Sequence, residues 1–250
     1  MVQGVGAYGL GWNPQIEILS QHYTCLTFDN RGIGATECEI PLPWPLESFA
    51  RDTAELIEAV CDPPVALVGL SLGGAIVQQV AIDFPHLLRC VITMGTGARS
   101  TGWGWDYQKA EIDWRKAGGR LDGMMAVAHN AAMMFPARVL GDRELWPKLR
   151  ADLESWLSTD DNERSLIPQW EASLLYDQME ALPRCPVPMH VLAFSEDVQA
   201  PPQDGLEVAE LAADGHFHEF AGMGHCSIYG HTHDVLNPFI RDLVLRYGSG

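Results

Sequence analysis

The stretch from Val65 to Gly74 constrains the fold more than any other. Val65-Ala66-Leu67-Val68-Gly69-Leu70 is apolar on both alternating faces. As a strand it must therefore be covered on both sides, which suits a parallel strand between helix layers. Ser71 follows at once, and Leu72 to Phe84 carries a helical pattern closed by Pro85. A chain that passes from buried strand to helix without a loop has to turn sharply. Gly69 and Gly73, placed around Ser71 as G-x-S-x-G, leave room for that turn, which pushes the serine hydroxyl out at the edge of the sheet. Ser71 also stands where a helix cap would stand, so a purely structural capping role is the alternative to a chemical one.

The same alternation continues along the chain. His22 to Phe28 is rich in β-formers and ends at Asp29-Asn30-Arg31-Gly32, predicting a strand and a tight turn. Leu46 to Cys61 has helical spacing, and Pro63-Pro64 stops it. Arg89 to Met94 and Pro188 to Phe194 are further apolar strands. Phe217 to Phe220 is strand-like, and Val235 to Leu245 helix-like. Strands alternating with helices predict an α/β fold with a mostly parallel sheet flanked by helices. Between the strands ending at Met94 and beginning at Pro188 lie nearly ninety residues of another kind. They hold Trp103, Trp105, Trp114, Trp146, Trp156 and Trp170 with Met124, Met125, Met133, Met134 and Met179. This is far more chain than a crossover helix needs. The expected division is a core of residues 1–97 and 184–250 and a helical cap of residues 98–183. Gly248-Ser249-Gly250 reads as a frayed end or an appended tail.

Composition excludes several function classes. The formal net charge is −17. Such a surface repels phosphate backbones and anionic lipids, so neither nucleic acid nor membrane is an expected partner. No apolar run approaches the roughly 20 residues of a membrane span. The six cysteines form no C-x-x-C pair, which leaves zinc and redox motifs without support. Cys25 and Cys90 fall in apolar runs read as buried strands. Free thiols point to a reducing compartment, the cytoplasm. No metal and no organic cofactor is implied.

A serine hydroxyl needs a base to become a nucleophile. His225 follows the strand-like Phe217 to Phe220 and precedes the last helix, a loop position from which an imidazole can reach Ser71. His231 and His233 compete, but they sit closer to the helix in what reads as a solvated turn. A catalytic imidazole needs an orienting carboxylate. Asp197 follows the strand ending at Phe194, and residues at the carboxyl ends of parallel strands line the site. Glu196 is the second choice. The candidate groups occur in the order serine, acid, histidine.

Gly4-Val5-Gly6, Asp29-Asn30-Arg31-Gly32-Ile33-Gly34, Gly69-Leu70-Ser71-Leu72-Gly73-Gly74, Ser195-Glu196-Asp197-Val198-Gln199-Ala200-Pro201 and Gly224-His225 together resemble the α/β-hydrolase superfamily, in its order and across almost the whole chain. Among its branches the sequence looks most like the 3-oxoadipate enol-lactonase and haloperoxidase-like esterase group. The resemblance implies that Asp29 and Arg31 are structural turn residues. It also implies that the backbone N–H groups of Leu72 and Val5 form an oxyanion hole. Members of the family usually carry His-Gly where this chain has Gln3-Gly4. They also carry two strands and a third, central strand before that loop. The resemblance therefore implies that N-terminal strands are missing here, that the strand edges they would cover are open, and that copies of the chain associate. The implied activity is hydrolysis of a carboxylic ester or lactone, a small apolar acyl or lactone substrate, through an acyl-enzyme. A C–C hydrolase, a thioesterase and a non-catalytic ligand-binding protein use the same constellation and stay open.

Overall fold

In the computed structural model, which describes residues 1–39, 42–157 and 163–247, four strands form one sheet. They are β1 (Val65–Leu70), β2 (Leu88–Met94), β3 (Met189–Phe194) and β4 (Gly215–Phe220), paired in chain order and all parallel. The helices around them are α1 (Asn13–Leu19), α2 (Leu46–Val60) and α3 (Leu72–Asp83) before β2, α9 (Pro202–Leu211) between β3 and β4, and α10 (His233–Arg246) at the end. Between β2 and β3 run α4 (Gly102–Lys116), α5 (Gly123–Met134), α6 (Ala137–Leu140), α7 (Leu145–Leu157) and α8 (Glu163–Leu175).

The two-residue period of the strands splits the core into two layers. Leu67, Val91 and Val191 face α2, α3 and α9, packing with Phe49, Ile76, Val80 and Val208. Their neighbours Val68, Ile92 and Leu192 face the other way, onto Leu19 of α1 and Leu236 and Ile240 of α10. Each fully buried aliphatic side chain contributes about 1.5–3 kcal/mol of hydrophobic stabilisation. That need on both faces explains why β1 reads as an unbroken apolar run and why β2 and β3 are mainly apolar. The helices between β2 and β3 keep a smaller cluster of their own, with Val127, Phe135, Leu149 and Leu153 packed beside Cys226.

One expected strand does not form. Residues 24–30 are extended but make no ladder, and Cys25 is half-buried rather than part of a strand. A ladder needs a run of successive pairs, and here a single contact stands in for one: the amino group of Met1 donates to the Leu26 carbonyl at 2.8 Å. On its other side the same short stretch reaches β1. The Val2 N–H donates to the Val68 carbonyl at 2.8 Å, the Leu70 N–H donates to the Val2 carbonyl at 3.3 Å, and Val2 bridges Gly69 in parallel. Two residues thus tie residues 24–28 to the edge of β1 without building a strand. Residues 248–250 lie outside the described residues. Among the described residues no helix is long and apolar enough to cross a membrane.

At the far side of the sheet, β3 and β4 bring three histidines together. His190 pairs His216 in register and stacks on it at 4.6 Å between ring centroids. Its ring nitrogens lie 3.1 Å from His218 Nε2 and 3.0 Å from the Tyr247 hydroxyl. Burial, then the neighbouring His216, His218 and Arg246, pushes His190 down to about 4, against a smaller opposing pull from Asp214. In the unfolded chain a histidine titrates near 6.5. Between these values the unfolded state binds the extra proton and the folded state does not, so stability falls as pH drops from about 6.5 to about 4. We expect urea midpoints to decline across that window and His190→Leu to flatten the decline; an unchanged slope in the variant would exclude His190 as its source.

Candidate active site

Ser71 closes β1 and opens α3 with φ 58° and ψ −123°, and among the described residues it is the only non-glycine at positive φ. Such a conformation costs on the order of 1–3 kcal/mol and persists only where its surroundings enforce it. Here they do. A Cβ on Gly69 would lie 2.2 Å from the Gly73 carbonyl oxygen, and one on Gly73 would lie 2.2 Å from the Val2 carbonyl oxygen. Only glycine permits either approach. The Ser71 N–H is held by the Met94 carbonyl at 2.8 Å. The Ser71 side chain makes no capping hydrogen bond, so the structural alternative raised by its position is not taken up.

The loops after β3 and β4 bring the other two candidates together. His225 Nδ1 lies 2.7 Å from Asp197 Oδ2. Asp197 Oδ1 accepts from the N–H groups of Gln199 at 2.8 Å and Ala200 at 3.0 Å. Both carboxylate oxygens are therefore committed, and the side chain is fully enclosed. Glu196 is exposed. His231 and His233 are not a solvated turn as the sequence suggested. Both are half-buried and held locally, His231 by the Ser227 hydroxyl at 3.0 Å and His233 by the Gly230 N–H at 3.1 Å. Cys226 adjoins His225, but burial and then the Asp197 charge push its thiol upward, so it stays protonated.

Ser71 and His225 both line two cavities. The larger, about 500 Å³, runs from the Gly4–Tyr8 loop out between α4, α5, α7 and α8. Its wall includes Met133, Met134, Leu153, Trp156, Leu166 and Trp170. Of the Trp- and Met-rich segment, then, part builds a cavity, while Trp103, Trp105, Trp114, Met124 and Met125 are exposed. The smaller, about 40 Å³, lies between the loops after β2 and β3 and the helices α4 and α8.

Val5 lines the larger cavity beside Ser71, and a Cβ on Gly4 would lie 3.1 Å from the Ser71 Cβ. The Val5 N–H has no protein acceptor among the described residues. Leu72 is the first residue of α3, where an N–H has no partner within the helix and the helix dipole favours negative charge. Gln3 anchors the loop. Its carbonyl accepts from Asn30 Nδ2 at 3.0 Å, and its Oε1 accepts from the Tyr229 hydroxyl at 2.7 Å. Asp29 Oδ1 accepts from the Gly9 N–H at 2.6 Å. Arg31 forms two 2.7 Å hydrogen bonds with Asp52 and lies over the Trp44 and Phe49 rings. Neither Asp29 nor Arg31 lines the cavities.

Residues 2–237 match the model of the alpha/beta hydrolase family. The chain belongs to the alpha/beta hydrolase family. It is 28% identical over 230 residues to a putative non-heme bromoperoxidase, BpoC, of Mycobacterium tuberculosis, covering 91% of this chain and 86% of the relative. The crystal structure of that protein superimposes with a TM-score of 0.90 at 26% identity, covering 99% of this chain and 92% of the other. A putative carbamate hydrolase, RutD, of Pantoea ananatis is 24% identical over 251 residues, covering 98% of this chain and 87% of the relative. The enol-lactonase from Burkholderia xenovorans shares the fold, with a TM-score of 0.77 at 22% identity, covering 100% of this chain and 90% of that one.

Sequence reasoning missed one residue of this alpha/beta hydrolase site. Gln169 of α8 is fully buried. Its Oε1 accepts from the Gly6 N–H at 2.9 Å, and its Nε2 donates to the Arg31 carbonyl at 3.2 Å. One side chain from the helical segment thus clips the Gly4–Tyr8 loop to the Asp29–Gly34 loop. The signal was weak: a lone glutamine on the same helical stripe as Leu166 and Trp170. Gln169→Leu removes both hydrogen bonds that clip the loop, so turnover should fall about 10–100-fold, the scale of a displacement near 1 Å. Gln169→Glu keeps the acceptor for Gly6 and should retain more of the rate. Comparing kcat for the two variants checks this, and equal rates would show that the Gly6 contact is immaterial.

Proposed function

We propose that this chain is a serine hydrolase that cleaves a carboxylic ester or lactone through an acyl-enzyme. The observation that carries the reading is the 2.7 Å His225–Asp197 pair, which shares a cavity wall with a strained, half-buried Ser71 whose hydroxyl does no structural work. His225 takes the proton of Ser71 as its Oγ attacks the carbonyl carbon. Asp197 fixes the imidazole tautomer and stabilises the imidazolium. The amides of Leu72 and Val5 hold the oxyanion, where one donor is typically worth ~10²–10³ in rate. His225 returns the proton to the leaving group, and the sequence repeats with water. The apolar wall of the larger cavity supports an apolar acyl substrate, residues 98–183 acting as the cap that shapes it. The steps need no metal or organic cofactor. Six free thiols support a reducing, cytoplasmic setting.

Two variants test the assignment with a short activated ester. Ser71→Ala should lower kcat by up to ~10⁶-fold, the scale known for removing a triad nucleophile, with the melting curve nearly unchanged. A variant keeping more than about a tenth of wild-type turnover would rule Ser71 out as nucleophile. Asp197→Asn should cost orders of magnitude, because the amide supports the wrong tautomer. Glu196→Gln should cost little, and reversed effects would move the acid to Glu196.

A further inference from the structure

The two cavities meeting at Ser71 differ in size and chemistry, and this separates the two halves of a substrate. Both borders include Tyr107, Trp170 and Gln199 as well as Ser71 and His225. Beyond that shared wall they diverge. The 40 Å³ chamber is lined by Thr96, Ser100, Gln108, Ser173, Tyr176 and Asp204. Its polar groups are set in place: the Tyr176 hydroxyl donates to the Gly97 carbonyl at 3.0 Å and lies 3.2 Å from Thr96 Oγ1. Gln108 Nε2 donates to the Ser100 hydroxyl at 3.0 Å, while its Oε1 is buried with no donor among the described residues. A buried acceptor of this kind is stabilised by a small hydroxylic donor. The chamber accepts on the order of three water molecules. The 500 Å³ cavity is of about the size of a drug-like molecule, and its wall is mainly apolar, with Glu111, Arg115, Arg120 and Asp152 also on it.

Catalytic chemistry assigns the sides. The proton that His225 carries goes to the leaving oxygen in the first half-reaction and comes from water in the second. By microscopic reversibility the two oxygens occupy the same place. That place must border Ser71 and His225 and tolerate water. The oxyanion lies elsewhere, at Val5, which lines only the larger cavity. Resting on the proposed acyl transfer, we infer that the polar chamber is the leaving-group and water subsite, so the substrate is an open ester joining a large apolar acyl group to an alcohol of one or two carbons. In the first half the Ser71 Oγ–carbon bond forms, the bond from carbon to the alcohol oxygen breaks, and the serine proton leaves on the alcohol through His225. In the second, water adds its oxygen to the carbon, the Oγ–carbon bond breaks, and a water proton returns to Ser71.

Methyl decanoate and nonyl acetate test this cleanly, because they are isomers of matched polarity that exchange the two halves. The methyl ester should show a kcat/KM about tenfold higher or more, the scale of discrimination by pocket fit. Added deuterated methanol should also capture the acyl-enzyme formed from methyl decanoate, as labelled methyl ester, in clear excess over the hexyl ester formed with an equal concentration of hexanol. Equal rates, a preference for nonyl acetate, or equal capture of the two alcohols would overturn the inference. If Ser71→Ala abolishes that cleavage, the serine-hydrolase reading stands all the same. Cleavage of neither isomer would overturn both.

Discussion

The backbone turn at Ser71 is the constraint on which the site depends. It is strained, and it survives because two close approaches leave the chain nowhere else to go. Gly69 meets the Gly73 carbonyl, and Gly73 meets the Val2 carbonyl. The energy that holds it comes from the packing of β1 and α3 in the core, where Leu67, Val68, Ile76 and Val80 are buried. A cost on the order of 1–3 kcal/mol at one residue is small beside that packing. The hydroxyl is thereby presented to both cavities instead of capping its helix. Val2 links this turn to the loop that carries Val5, so Ser71 and the nearest backbone amides belong to one hydrogen-bonded unit.

The remaining groups arrive from the carboxyl ends of neighbouring strands. Asp197 follows β3 and His225 follows β4, and parallel strands put these ends on the same edge as Ser71. The helical segment contributes more than a cover. Gln169 reaches down from α8 to the Gly4–Tyr8 loop, and Gln199 Nε2 reaches up to the Met133 carbonyl at 3.1 Å. These contacts join the helical segment to the loops around Ser71.

The sequence made the core and the gathering of Ser71, Asp197 and His225 legible, because each rests on a local signal. The run at 65–70 has no polar face to expose, those at 89–94 and 188–194 are mainly apolar, and Gly69-Leu70-Ser71-Leu72-Gly73 has few conformations open to it. The order of the motifs placed Asp197 and His225 on successive loops. What stayed hidden depends on partners remote in sequence. Residues 24–28 have strand-forming side chains, yet a ladder needs a neighbouring strand, and among the described residues they take part in none; Met1 donates to Leu26 in its place. Gln169 is separated from Gly6 by 163 positions, and no local pattern reports such a bond. Composition alone set the Trp- and Met-rich segment apart from the core, but did not tell which of its residues line a cavity, nor that a small polar chamber lies beside it.

The central claim is that Ser71 is an activated nucleophile. A fluorophosphonate reacts with a serine whose hydroxyl is deprotonated by a positioned base and whose oxyanion is held, and it spares ordinary surface serines. Treating the protein with such a probe, digesting it and locating the adduct by mass spectrometry reads that property directly. The account predicts one adduct per chain, on the peptide carrying Ser71, and loss of labelling in the Asp197→Asn and His225→Ala variants. An unlabelled protein, or an adduct on another serine, would contradict it.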